Sequence, residues 1–289
     1  MKLAYMIQAH TNEVQIYKLI EALNDINTDF FIHIDKKSDN VFKYLVDKYS
    51  DAKNVFFVYN RVDVNWSGYS QVQATINLLK LVISKDKEYD YVTLLSGQDY
   101  PIKSKNEIQR ILSLNYGKEF IQYNSIGNYF WRIKCYNLFT ENKNNRKVYI
   151  KVINKILRCI QMKTPRRKNL DNLDLYVGSQ WFTITYSCVK YIVDYIDKNA
   201  KYISDFRYTA CADEHFFQII ILNSNFKSNV INDNLRHIVW NNSSNSPKTF
   251  KIEDLDELVS SKKLFARKFD INLDQEIIDE ISKNNERGL

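Results

Sequence analysis

Glycine and proline are scarce, with 6 and 3 copies in 289 residues. That excludes flexible linkers, collagen-like repeats and low-complexity tails, which need one or both in quantity. The four cysteines, Cys135, Cys159, Cys188 and Cys211, are widely spaced and form no CxxC pair. They provide no zinc ribbon and no disulfide framework, and they fit reduced thiols in a cytoplasmic protein. His10, His33, His215 and His237 show no HExxH spacing, and neither GxGxxG after the first strand nor GxxxxGK[ST] occurs; zincin, NAD-type and P-loop chemistries are not indicated. No apolar run approaches the roughly 20 residues of a membrane span. The chain opens with a short strand that passes at once into polar sequence, without the pattern of a secretory leader. A cytoplasmic protein, at most peripheral at the inner face of a membrane, is the expectation.

What is present is a core. Hydrophobic residues make up 45% of the chain, with 20 Tyr and 16 Phe, and the net charge is +7. Such a charge suits a phosphate-bearing ligand, an anionic membrane or nucleic acid without choosing among them. Leu3 to Ile7, Phe30 to Ile34, Val55 to Val58 and Tyr91 to Leu95 are apolar strand segments. Between them run helical patterns led by Thr11-Asn12 and Asp39-Asn40, and a strong one from Gln71 to Ile83. This alternation predicts an α/β fold, a mostly parallel central sheet flanked by helices. Ligands of such sheets bind beyond the carboxyl ends of strands, here Gln8-Ala9-His10, Asp35, Asn65-Trp66-Ser67 and Ser96 to Asp99. Gly178 to Thr185 reads as a further strand, Ser187 to Ile196 as a helix, Asn229 to Trp240 as a strand-like run and Asn241 to Lys248 as a loop. One domain over 1–289 is expected, with 134–168 as a basic insertion. In that insertion Val152, Ile153, Ile156, Leu157 and Ile160 recur at helical spacing. The helix either packs on the core with its basic face in water or lies on an anionic membrane. Pro165 to Lys168 reads as a mobile basic loop.

Three features carry chemistry. Thr209 to Leu222, TACADEHFFQIIIL, places Asp213-Glu214 directly before a buried helical run, with Glu214 expected in the first turn. There a carboxylate is held by free backbone N–H groups, and adjoining apolar surface raises its pKa towards general-base range. Plain helix capping explains the same residues. Arg267-Lys268 lies between Phe265 and Phe269: either an anchored clamp for a diphosphate or a solvated basic face. Trp66, Trp181 and Trp240 are sugar-stacking walls or ordinary packing. The literal DxD at Asp254 to Asp256 falls in a helical pattern that splits its side chains, so no metal is inferred.

Taken together, HIDKKS (His33 to Ser38), VNWSGYSQVQATINLL (Val64 to Leu79), LLSGQDYPIKS (Leu94 to Ser104), GSQWFTIT (Gly178 to Thr185), ADEHFF (Ala212 to Phe217), SPKTF (Ser246 to Phe250) and LFARKFD (Leu264 to Asp270) resemble the core-2/I-branching β-1,6-N-acetylglucosaminyltransferases and the related peptide O-xylosyltransferases. The matches run in order from about residue 2 to 270, leaving Lys134 to Lys168 without a counterpart. The resemblance implies a nucleotide-sugar fold of the GT-A type and inverting transfer from a UDP-sugar, GlcNAc before xylose, to a glycan or lipid-linked saccharide, without a cofactor or metal. It implies Glu214 as general base. For the donor it implies Ala9, Asp35, Val64, Asn65, Trp66, Gln180 and Trp181, with Ser246, Arg267 and Lys268 on the diphosphate. The xylosyl members have an acidic residue where Gln180 stands. Eukaryotic relatives carry a membrane anchor and disulfides; neither is expected here, so the resemblance implies a bacterial member building surface polysaccharide. The other readings are a basic nucleic-acid or anionic-surface module and an inactive sugar-binding scaffold; no RNA-binding signature supports a nucleic-acid partner.

Overall fold

A computed structural model describes residues 1–142, 144–145, 147–164, 170, 172–240 and 246–287. Its strands are β1 (Leu3–Ala9), β2 (Thr28–Ile34), β3 (Val55–Phe57), β4 (Tyr91–Ser96), β5 (Asp99–Pro101), β6 (Glu119–Ser125), β7 (Tyr176–Thr185), β8 (Val230–Ile231), β9 (Arg236–Ile238) and β10 (Phe265–Arg267). Its helices are α1 (Glu13–Leu23), α2 (Asp39–Lys48), α3 (Tyr69–Ile83), α4 (Lys105–Leu114), α5 (Phe130–Lys134), α6 (Val148–Gln161), α7 (Tyr186–Lys198), α8 (Ala200–Phe206), α9 (Phe216–Leu222), α10 (Leu255–Ser260) and α11 (Glu276–Arg287).

Seven strands form one sheet in the order β3-β2-β1-β4-β7-β6-β8. All run the same way except β7, which pairs antiparallel with both β4 and β6. The α/β architecture with a mostly parallel sheet is therefore as expected. Side chains alternate along each strand. Ala4 and Met6 of β1 and Phe31 of β2 enter one core with α3, α7 and α9. Leu3, Tyr5, Ile7, Phe30 and Ile32 enter the other, with α1, α4 and α11. Each fully buried Leu, Ile or Phe contributes about 1.5–3 kcal/mol, so two-sided burial explains why these strands are continuous apolar runs.

A second, three-stranded sheet, β5-β10-β9, stands at the end of the first. Arg236 fastens the two together. Its buried guanidinium donates to the Leu94 carbonyl of β4 at 2.6 Å and the Phe182 carbonyl of β7 at 3.4 Å. Burial lowers its pKa to about 10, which leaves it cationic at neutral pH.

Several local expectations change. Asn12 precedes α1 with φ 59°, and its side chain donates to Asp270 instead of capping the helix. Glu214 belongs to a single 3-10 turn, Ala212–Glu214, and α9 begins only at Phe216. The run 229–240 is two short strands, β8 and β9. The basic helix exists as α6, but among its apolar residues Val148, Val152, Ile153, Ile156 and Ile160 are exposed and Ile150 alone is buried. The expected packing of that stripe on the core does not occur. The loop at Pro165 to Lys168 and most of the loop 241–248 lie outside the described residues.

Gly178 sits where β7 passes the irregular register of β6. A Cβ there would stand 1.9 Å from the Gln122 carbonyl oxygen. Gly178→Ala should cost about 1–3 kcal/mol by overpacking and lower Tm by several degrees. A Tm equal to that of the native chain would show that the strand yields freely.

Candidate active site

One large cavity, about 1120 Å³, opens at the carboxyl ends of β1, β2 and β4. Ala9, Asp35, Val64, Trp66, Gln180, Trp181, Glu214, Ser246, Arg267 and Lys268 all line it, as do Trp131, Asp213 and Trp240. Asn65 is not among the lining residues. Its side chain donates to Glu141, whose carboxylate also accepts from the Ser70 N–H at 2.7 Å and so holds the start of α3.

The acidic wall is built from distant segments. Ser67 and Cys211 both take left-handed backbone, φ 68° and φ 50°, a strained region for side chains of their kind. The Cys211 N–H donates to the Ser67 carbonyl at 3.0 Å, clasping the 3-10 turn to the loop before α3. Behind the turn, His215 Nδ1 meets the Tyr176 carbonyl at 2.8 Å and Gln218 Nε2 donates to the Ser179 carbonyl at 2.6 Å, fixing α9 to β7. Burial keeps His215 neutral, its pKa lowered to about 4. Glu214 receives an ion pair from Arg132 of α5 on Oε2, and Oε1 has no hydrogen bond among the described residues. Arg132 also stacks over Tyr129 at 4.4 Å. Nothing in FWRIK marks this cation in the sequence, because its partner is 82 residues away. Asp213, beside Glu214, is buried, and its pKa rises to about 7 through desolvation first and the Glu214 charge second.

The cationic wall comes from the small sheet. Phe265 and Phe269 are buried, so Arg267 and Lys268 are anchored. The Arg267 guanidinium bonds Asp99 at 2.8 Å and stacks over Trp181 at 4.5 Å. Lys268 Nζ donates to Ser246 Oγ at 2.7 Å. Asp99 is fully buried and its other oxygen accepts from the Ser96 N–H at 3.0 Å. The Ser-Gly-Gln-Asp turn after β4 thus supplies a carboxylate that orients an arginine. Gln180 Nε2 donates to Gln8 Oε1 at 3.0 Å, and Gln8 in turn donates to Thr75, so this part of the floor is a fixed amide chain. Asp35 is capped by the Lys37 N–H at 2.9 Å. Trp181 is packed under Arg267, whereas Trp66 and Trp240 are more than half exposed at the rim. Among the described residues no three His, Cys, Asp or Glu side chains cluster as metal ligands, and no helix is long and apolar enough to cross a membrane.

The molecule is thus an α/β protein with a large cavity that joins a carboxylate to an anchored cationic pair at the ends of parallel strands. The family model for the Core-2/I-Branching enzyme matches residues 3–260, and the chain belongs to that family. Xylosyltransferase 2 of Rattus norvegicus is 26% identical over 96% of this chain, and xylosyltransferase oxt of Drosophila melanogaster 22% identical over 91%. The chain spans about a third of the length of those relatives, 33% and 31%. Among solved structures, the galactosyltransferase LgtC bound to donor and acceptor sugar analogs aligns over 98% of this chain and 95% of its own at 10% identity and TM-score 0.39. Mouse xyloside xylosyltransferase 1 aligns over 76% of this chain and 81% of its own, at 11% identity and TM-score 0.34.

Asp213 gives the site a pH signature. A carboxyl whose folded pKa is raised stabilises the fold below its unfolded pKa of about 4, and that contribution is lost as pH rises through about 7. Asp213→Asn removes this loss. Its Tm should exceed that of the native chain by a margin that grows from pH 4 to about 7 and then levels. Parallel Tm curves across that range would contradict the buried, protonated carboxyl.

Proposed function

We propose that the chain is an inverting glycosyltransferase that moves a sugar, GlcNAc in the first instance, from a UDP-sugar to a hydroxyl of a glycan or lipid-linked saccharide, without a metal ion. The observation that carries this reading is the shared cavity of Glu214 and the Arg267-Lys268 pair, with Asp35 and Ala9 at the strand ends beside them. Uridine would lie over the carboxyl ends of β1 and β2 and the diphosphate against Arg267, Lys268 and Ser246. Glu214 Oε1 would take the proton of the acceptor hydroxyl. The acceptor's hydroxyl oxygen, its proton passed to Glu214, forms the bond to C1 while the bond from C1 to the diphosphate oxygen breaks, and UDP leaves with the electron pair. Arg267 and Lys268 offset the charge that gathers on the diphosphate, and because Asp99 and Ser246 already fix them, little reorganisation is needed. Arg132 acts through Glu214 by holding its other oxygen. A second carboxylate nucleophile is not required for inversion.

Transfer of xylose is the second reading, favoured by the names of the relatives above. Both readings share the machinery and differ in the donor. Release of UDP, followed with UDP-GlcNAc and UDP-xylose in turn over a pool of saccharide acceptors, separates them, and it should persist in EDTA. Strict dependence on a divalent ion would overturn the metal-free mechanism. Glu214→Gln should lower kcat by about 10²–10⁴-fold while UDP still raises the Tm of the variant by mass action. Full activity in that variant would remove Glu214 from its role.

A further inference from the structure

The cavity leaves one conspicuous surface unexplained. On α6, Val148, Tyr149, Val152, Ile153, Ile156 and Ile160 form a stripe facing solvent, with Ile156 56% and Ile160 60% exposed. Large apolar patches on a monomer mark a contact site. The adjoining flank of the same helix carries Lys151, Lys155 and Arg158, all of which line the cavity. None of the three has a carboxylate partner among the described residues; Arg158 stacks over Trp131 at 4.5 Å. Residues 142–170 contain ten Lys and Arg and no Asp or Glu, so the whole excess of +7 resides in this one segment.

We propose that the outer face of α6 seats the protein on an anionic lipid surface. A helix with an apolar face and an acid-free, basic polar face lies in the plane of a bilayer, its apolar side in the headgroup–acyl boundary and its cations on lipid phosphates. Charge decides among the occupants of the stripe. A second copy would bring two acid-free basic segments together with no countercharge, and like charges in contact repel. A bilayer rich in phosphate headgroups supplies negative charge that the sequence of this segment does not contain. Because the cationic flank is also a wall of the cavity, docking places the cavity beside the lipid surface, where a lipid-linked saccharide would be presented. The docking itself does not depend on the proposed chemistry.

Sedimentation with vesicles tests it, using the full chain without substrates. Vesicles of phosphatidylglycerol and phosphatidylcholine should bind the protein at low salt, pure phosphatidylcholine vesicles much less, and binding to the mixed vesicles should weaken as salt rises. Val152→Asp with Ile156→Asp should reduce binding to mixed vesicles at least tenfold with Tm and UDP binding unchanged. If those substitutions disturb folding, the salt and lipid dependence of the native chain still decides. No binding to mixed vesicles, equal binding to neutral ones, or undiminished binding by a folded variant overturns the proposal. So does a dimer by light scattering that the same substitutions convert to a monomer.

Discussion

The arrangement of the cavity depends on a buried carboxylate, Asp99, on the Arg267 guanidinium bonded to it and on the charge of the buried Arg236. Burial raises the Asp99 pKa, while Arg267 and Arg236 pull against that rise. Charges removed from water are tolerated only when paired and hydrogen-bonded, and stripping one partner from such a pair costs about 3–5 kcal/mol. Here the pairing does structural and positional work together. Arg236 reaches from the small sheet into carbonyl groups of β4 and β7, and Arg267 is held flat between Asp99 and Trp181. The small sheet is thereby fixed to the large one, and Arg267 is held in the cavity wall by contacts within the protein.

The opposite wall is fixed by different means. It uses strained backbone at Ser67 and Cys211, a neutral buried histidine and an ion pair from a five-residue helix. The outcome is a carboxylate and an anchored cationic pair in one cavity, each immobilised by contacts that do not involve substrate. That combination is what an inverting displacement asks of a protein: a base where the nucleophile enters and positive charge where the leaving group departs.

Much of this was legible in the chain itself. The strands of the first half are apolar runs of β-forming residues between helical periods, so their parallel pairing followed from the alternation. Glu214, Arg267 and Lys268 stood out because each is a charge set against buried apolar neighbours. Arg132 did not, since a lone arginine beside aromatics carries no sign of a partner 82 residues on. Asp99 was visible in its turn, but its pairing to Arg267 spans 168 residues and depends on β10 lying against β5. Asn65 shares the Val64–Trp66 turn with cavity residues, yet the backbone sends its side chain to Glu141. The periodicity of α6 showed an amphipathic helix and could not show which face the fold would cover. β5, α4, β6 and α11 are short or flanked by polar residues, and tertiary pairing defines them more than their own pattern.

The family match reaches residue 260, and the Arg267-Lys268 pair lies just beyond it, so the cationic wall rests on the geometry of this chain. The central claim is that a carboxylate and a cationic pair act from opposite sides of one anomeric carbon in a single displacement. The most direct test is the anomeric configuration of the first-formed product from an α-linked UDP-sugar, read from proton coupling by NMR before mutarotation or further processing. A β-linked product is the result expected here; an α-linked product, meaning retention, would contradict it.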